Sequence, residues 1–256
     1  MKRDSIKHTV LFLFITAGIP LCMSFVAAAV KPVQAAPLAT TAVKDSSITD
    51  GIKKMVSPAV VLYDSLELDR YGLSRSAFEY AMLGFEYLVE SGVIDNDDVI
   101  SIVDFSLPSS AKRLFVIDLN SYRILYNTYV AHGHNSGREY ANQFSNKPES
   151  NKSSLGFYKT LGTYMGGHGY SLKLEGLERG INDNANRRDI VIHGAAYVSE
   201  ALIRSQGYIG RSQGCPALPE KMHKPIINKI KDGSCLFIYS PDKAYLKRSA
   251  VLNARA

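Results

Sequence analysis

IVIHGAAYVSEALIRSQGYIGRSQGCPALP, residues 190 to 219, opens on an apolar run ending in His193-Gly194 and closes on Ser212-Gln213-Gly214-Cys215-Pro216. The run from Asp189 to His193 predicts a strand, and Val198 to Ser205 predicts a short helix. Gly207 and Gly210 mark the loop that returns the chain to Cys215. A thiol set between a glycine and a proline, 22 positions after a histidine, is a nucleophile-and-base pair wherever the fold brings the two loops together. Such a thiol needs the partner, because a free cysteine is only about a few per cent thiolate at pH 7. His193 follows a buried strand and so has a fixed ring position. Gly214 removes bulk beside the sulfur, leaving the Gly214 and Cys215 amides to face a developing oxyanion. Pro216 stiffens the loop and donates no amide. The competing reading of the same residues is packing alone, with His193 as a core histidine and the glycines as turn makers.

Upstream, Ser57-Pro58 predicts a helix start, with Val61, Leu62, Leu66 and Leu68 as contacts and Gly72 as its end. Ser74 predicts a second N-cap. Phe78, Ala81, Met82, Phe85, Leu88 and Val89 then recur at helical spacing up to Gly92, and this stripe reads as core rather than as a ligand box. From Val99 the period changes. Ile100, Ile102, Leu114 to Leu119 and Ile124 to Val130 predict antiparallel strands joined by turns at Leu107 to Ser110 and Asn120-Ser121. Glycine-punctuated segments around His132-Gly133-His134, Ser154 to Tyr158 and Tyr164 to Tyr170 predict turns at the lip of a groove. Downstream, Pro219 to Lys231 predicts a surface helix that Pro225 must kink or shorten. Its His223 is expected to be solvated. Asp232-Gly233 turns into a last strand, Cys235 to Tyr239, and the segment from Asp242 onward carries no structural signal. Helices at one end and a mostly antiparallel sheet define an α+β fold.

At 256 residues and 46% apolar, the chain can bury a sizeable core. Half of its net charge of +6 lies in Lys2, Arg3, Lys7 and Lys31 set against Asp4. No basic run with interleaved aromatics argues for nucleic acid, which is excluded as a partner. That basic start, the apolar Thr9 to Val30, and the small residues at Ala27-Ala28-Ala29 and Val33-Gln34-Ala35 predict an export signal or N-terminal anchor over residues 1–35. The protein is expected to be exported, to the periplasm or cell envelope, and membrane association would run only through an uncleaved leader. Cys215 and Cys235 are the cysteines beyond it. A disulfide between them is one reading in an oxidising compartment. The other is that Cys235 is a buried strand residue and Cys215 carries chemistry. His132, His134, His168 and His193 match no common zinc spacing, so no metal or other cofactor is expected, and His168 in its glycine-rich loop is a substrate-contact candidate.

These residues resemble the murein L,D-transpeptidase catalytic domain family, whose signature is a histidine-glycine followed by Ser/Thr-His-Gly-Cys. The matching positions are His193-Gly194 and Ser212-Gln213-Gly214-Cys215. The resemblance covers roughly Lys112 to Ser240 and is closest to a branch reading Gly-Arg-Ser-x-Gly-Cys-Pro-Ala, matched by Gly210 to Ala217. Ser154-Leu155-Gly156-Phe157 is similar to the Thr-Pro-x-Gly segment of the common form. The resemblance implies a mostly β fold and a cysteine acyl-transferase acting on peptidoglycan stem peptides. Cys215 would cleave the L,D bond before terminal D-alanine through a thioester, then transfer to an amine (a 3–3 cross-link) or to water. It makes Cys215 the nucleophile, His193 the base and Gly214 part of the oxyanion hole. Ser212, Arg211, Gln213, Gly194 and His168 become substrate-contact candidates. Three departures stand out: Gln213 replaces the second signature histidine, the loop between base and nucleophile is longer, and Ala217 replaces an Arg or Asn expected to touch substrate. The alternative they raise is a non-catalytic peptidoglycan-binding envelope protein that retains the groove. The expected organisation is a leader (1–35), a linker (36–56), a helical hairpin (57–98), the catalytic-type domain (99–241) and a polar tail (242–256).

Overall fold

The computed structural model describes residues 58–254. The leader, the linker and the Ser57 cap lie outside the described residues. Helix α1 spans Pro58–Ser65 and α2 spans Arg75–Glu90. α1 stops short of the Gly72 end expected from sequence, because Glu67 takes a left-handed conformation at φ 49° and the chain turns there. Val61 is exposed, whereas Leu68 and Leu73 are fully buried. Tyr63 ties the two helices by donating its hydroxyl to the Leu73 carbonyl at 2.6 Å and packing on Phe78. Ser74 caps α2 through its side chain, and its own amide donates to Asp104 Oδ2 at 3.0 Å, anchoring the helix to the sheet. The buried face of α2 is the Phe78, Ala81, Met82, Phe85, Leu88 stripe, with Val89 at its margin.

Eight strands follow: β1 Asn96–Asp104, β2 Leu114–Asp118, β3 Arg123–Thr128, β4 Gly156–Gly166, β5 Gly169–Gly176, β6 Val191–Ala195, β7 Ala217–Pro219 and β8 Ser234–Tyr239. Their order is β3-β2-β1-β8-β4-β5-β6-β7. β1 pairs parallel with β8 and β6 parallel with β7; the remaining neighbours are antiparallel. The architecture is the expected α+β fold with a mostly antiparallel sheet. Parallel β8 lies at the centre, so both its faces are covered and every residue from Ser234 to Tyr239 is buried.

Two segments differ from expectation. The glycine-rich run from Gly156 to Gly176 is a long β4–β5 hairpin within the sheet, with its turn at Gly166–Gly169. Two of its glycines are forced by close approach. A Cβ at Gly156 would lie 2.1 Å from Glu178 Oε2, and one at Gly176 would lie 2.0 Å from the Asn182 carbonyl. The run after Asp242 is also structured, as helix α5, Lys243–Arg248, capped by the Asp242 side chain. Tyr245 and Ser249 both donate to the buried Glu178 carboxylate, which also accepts the Phe157 amide at 2.8 Å. Val251 and Leu252 join the core. Helix α3 is Glu200–Gln206, and α4 is Glu220–Ile230, continuous with Pro225 inside it. Among the described residues no helix is long and apolar enough to cross a membrane.

Candidate active site

β6 and β7 set the geometry. Their parallel register aligns His193 with Ala217, which places Cys215, two residues before Ala217, beside Val191. The Val191 amide accordingly faces the Cys215 sulfur and favours its thiolate. Val191 and His193 point to the same face of the strand, about 6–7 Å apart along it. Thiol and imidazole thus open into one cleft of about 920 Å³, lined also by His134, Tyr164, His168, Arg188, Tyr197, Arg211, Ser212 and Gln213. Both cysteines are free thiols, which removes the disulfide reading. Cys235 is buried in β8 as a small apolar residue.

His193 donates through Nδ1 to the Gly194 carbonyl at 3.0 Å. That bond fixes the tautomer with the Nε2 lone pair available. Burial holds its pKa below the usual imidazole value, so the ring is neutral at pH 7. His168, from the β4–β5 turn, stacks on it with ring centroids 4.3 Å apart and planes at 18°. Behind the strand lies His223. Sequence placed it in solvent, but it is buried, because Gly194 leaves room for its ring: a Cβ there would sit 2.5 Å from His223 Nδ1. His223 Nδ1 donates to the Glu220 carbonyl at 2.7 Å.

The nucleophile loop is held by backbone. The Ser212 amide donates to the His132 carbonyl at 2.9 Å, and the His134 amide donates back to Ser212 at 2.7 Å. Arg211 donates to the carbonyls of His134 and Gly137. Gly210 lies against Tyr197, which would stand 2.5 Å from a Cβ there. Ser212 is nearly buried; its hydroxyl donates to the Cys215 carbonyl at 2.7 Å and accepts the Gly214 amide at 3.0 Å. The Gly214 amide is therefore engaged within the loop, and the amides at the sulfur are those of Cys215 and Val191. Sequence expects the Gly214 amide in the oxyanion hole; here it is bonded to Ser212 Oγ. Gly214 is still required, at φ +126° with the Lys152 carbonyl 2.9 Å from where a Cβ would be. The thiol donates to the Asp189 carbonyl at 3.5 Å rather than to His193, and burial raises its pKa. Gln213 is exposed on the cleft wall. Ala217 is buried in a small apolar cluster with Ala131, Ala195, Val198 and Ile209, so its position offers the cleft nothing.

Arg188 is the cleft residue that sequence did not single out, because its partners lie 34 to 43 positions away. His132 is no ligand candidate. Its Nδ1 accepts from the buried Arg113 at 2.7 Å, and its Nε2 donates to the Gly137 carbonyl at 3.2 Å. Among the described residues no group of three or more His, Cys, Asp or Glu side chains is arranged to hold a metal ion. Burial pushes Arg113 down to about 9, still charged at neutral pH, and pushes His132 down to about 3. The folded protein then binds fewer protons than the unfolded chain between pH 6.5 and 3. Stability from His132 is complete above pH 6.5 and lost as pH falls toward 3. Urea unfolding at pH 7 and pH 4.5 should show the loss, and His132→Gln should shrink it by about 2 kcal/mol. An identical loss in the variant contradicts this assignment.

A thiol from the loop before β7 and a neutral imidazole from β6 open into one cleft. The L,D-transpeptidase catalytic domain profile matches residues 69–239, and the chain belongs to that family. Among solved structures, an L,D-transpeptidase from Mycobacterium smegmatis is 13% identical over 56% of this chain and 59% of its own, with a TM-score of 0.35. The L,D-transpeptidase from Xylanimonas cellulosilytica is 12% identical over 60% of this chain and 68% of its own, with a TM-score of 0.32. The helical cell shape determining protein Pgp2 from Campylobacter jejuni is 15% identical over 62% of this chain and 56% of its own, with a TM-score of 0.36. The match thus spans about three fifths of the Mycobacterium smegmatis protein. No curated protein matches the chain.

Proposed function

We propose that this protein is an exported cysteine acyl-transferase of the periplasm or cell envelope acting on peptidoglycan stem peptides. One observation carries the reading: Cys215 and the lone-pair nitrogen of His193 share one cleft of about 920 Å³. The Cys215 proton passes to His193 Nε2 as sulfur attacks the carbonyl preceding terminal D-alanine. The amides at the sulfur stabilise the oxyanion. Collapse breaks the C–N bond, His193 returns the proton to the departing D-alanine amine, and a thioester remains. An acceptor amine then attacks, giving its proton to His193, and the thiol is regenerated as the 3–3 cross-link forms. Water in the amine's place gives carboxypeptidase activity. His168, stacked on His193, and Arg211 and Gln213 line the cleft, which supports the reading that they contact the donor peptide.

The raised thiol pKa and the Asp189 bond favour a second reading, a groove that binds stem peptides without turning them over. Incubation with purified tetrapeptide muropeptides separates the two. Release of D-alanine with 3–3 dimers or tripeptides supports the enzyme. Binding of the muropeptide without any D-alanine release supports the second reading.

A further inference from the structure

Arg188 is the last residue of the Asn186–Arg188 helical turn, which leads through Asp189 into β6. Its Nη1 donates to the Ser145 carbonyl at 2.8 Å and to Ser154 Oγ. Its Nη2 donates to the Lys152 carbonyl at 2.6 Å and to Ser150 Oγ at 3.2 Å. All four acceptors are neutral oxygens, so they fix the guanidinium without cancelling its charge. The fork also sits against the nucleophile loop. A Cβ at Gly214 would come within 3.3 Å of Nη2, so the missing side chain is what lets the cation lie beside the residue preceding Cys215.

We infer that Arg188 is a positioning residue for the nucleophile: a guanidinium clamped by neutral oxygens against Gly214, whose uncancelled charge favours the thiolate of Cys215. The inference rests on Cys215 being the nucleophile. It answers a difficulty in that reading, because burial alone works against ionisation of this sulfur. The other charged or titratable groups facing the sulfur are the Asp189 carboxylate, which opposes the thiolate, and the Tyr197 hydroxyl. Arg187, Arg211, Glu149 and His193 line the same cleft. Of the cations, Arg188 is the one whose charge favours the thiolate, opposing the effect of burial without overcoming it. The clamp adds a geometric role. One side chain ties residues 145 to 154 to the turn that precedes β6, beside Gly214.

The test is the pH dependence of Cys215 alkylation by iodoacetamide, read by intact mass, in the wild type, Arg188→Gln and Arg188→Lys. Cys235 is buried and does not compete while the protein is folded. Arg188→Gln should move the alkylation midpoint to higher pH and slow alkylation at pH 7 roughly tenfold. Arg188→Lys keeps the charge and loses the fork, so its midpoint should stay near the wild-type value although its melting temperature drops. A Gln profile that superposes on wild type, with only the melting temperature lowered, overturns the inference. Should the Gln variant fail to fold, a Lys midpoint that rises with the fall in stability overturns it equally. Alkylation does not depend on peptide turnover. A shifted midpoint with no D-alanine release therefore counts against the proposed function, not against Arg188.

Discussion

Cys215→Ala should abolish D-alanine release, and His193→Ala should lower kcat/KM by about 10²–10⁴ while leaving muropeptide binding in place. The first effect is total because, among the described residues, the other thiol is no substitute: Cys235 is fully enclosed in β8, and burial drives its thiol far above the usual range. The second is partial because the sulfur keeps the charge of Arg188 and the amides of Val191 and Cys215 when the imidazole is gone. The same pair sets the pH profile. His193 accepts a proton only when neutral, and its lowered pKa puts the acid limb of kcat/KM below pH 6.5. The wild type should therefore hold its base competent through neutrality, and His193→Ala should lose that acid limb. Retained turnover in Cys215→Ala would refute the assignment of the nucleophile.

The largest effect on stability is expected at Gly84, midway along α2. Helix propensity alone favours alanine over glycine there by about 1 kcal/mol. Packing reverses the sign. A Cβ at Gly84 would stand 2.1 Å from Phe157 Cζ, inside the ring's own volume. Phe157 cannot easily retreat: it is fully buried, stacked on Phe237 at 4.2 Å, and its amide is held by Glu178. Gly84→Val should cost about 3 kcal/mol through overpacking, lowering the melting temperature by roughly 6–12 °C. An unchanged or raised melting temperature would mean that α2 is not seated on β4. Because β5 separates β4 from β6 and its His193, the residual folded protein should keep its alkylation profile.

The elements that sequence made legible are those whose signals are local. α2 carries its buried stripe at helical spacing, and the strand residues of β1, β2, β3 and β8 are apolar or β-branched on their covered faces. His193 and Cys215 stand out because each is flanked by a glycine, His193 within β6 and Cys215 in the loop before β7. What sequence concealed depends on partners far along the chain. β4 and β5 read as turns because glycines fill positions where Glu178 and Asn182 press against the backbone. α5 reads as a polar tail because its anchor is a carboxylate 67 to 71 positions earlier. His223 reads as solvated on a polar helix, and only the absence of a side chain at Gly194 shows why it is buried. The same cause hid Arg188, whose fork closes on loops that sequence spacing does not connect. Gly214 shows the converse: its need for a bare α-carbon is legible, but the engagement of its amide by Ser212 is not.

The central claim is that Cys215 is a live nucleophile served by His193. Intact mass after incubation with a carbapenem tests it most directly, since a covalent β-lactam adduct requires an activated nucleophile. The account predicts one covalent adduct on the wild type, mapped to Cys215, slow formation in His193→Ala and none in Cys215→Ala. An unmodified wild-type protein, or an adduct that persists in Cys215→Ala, would contradict it.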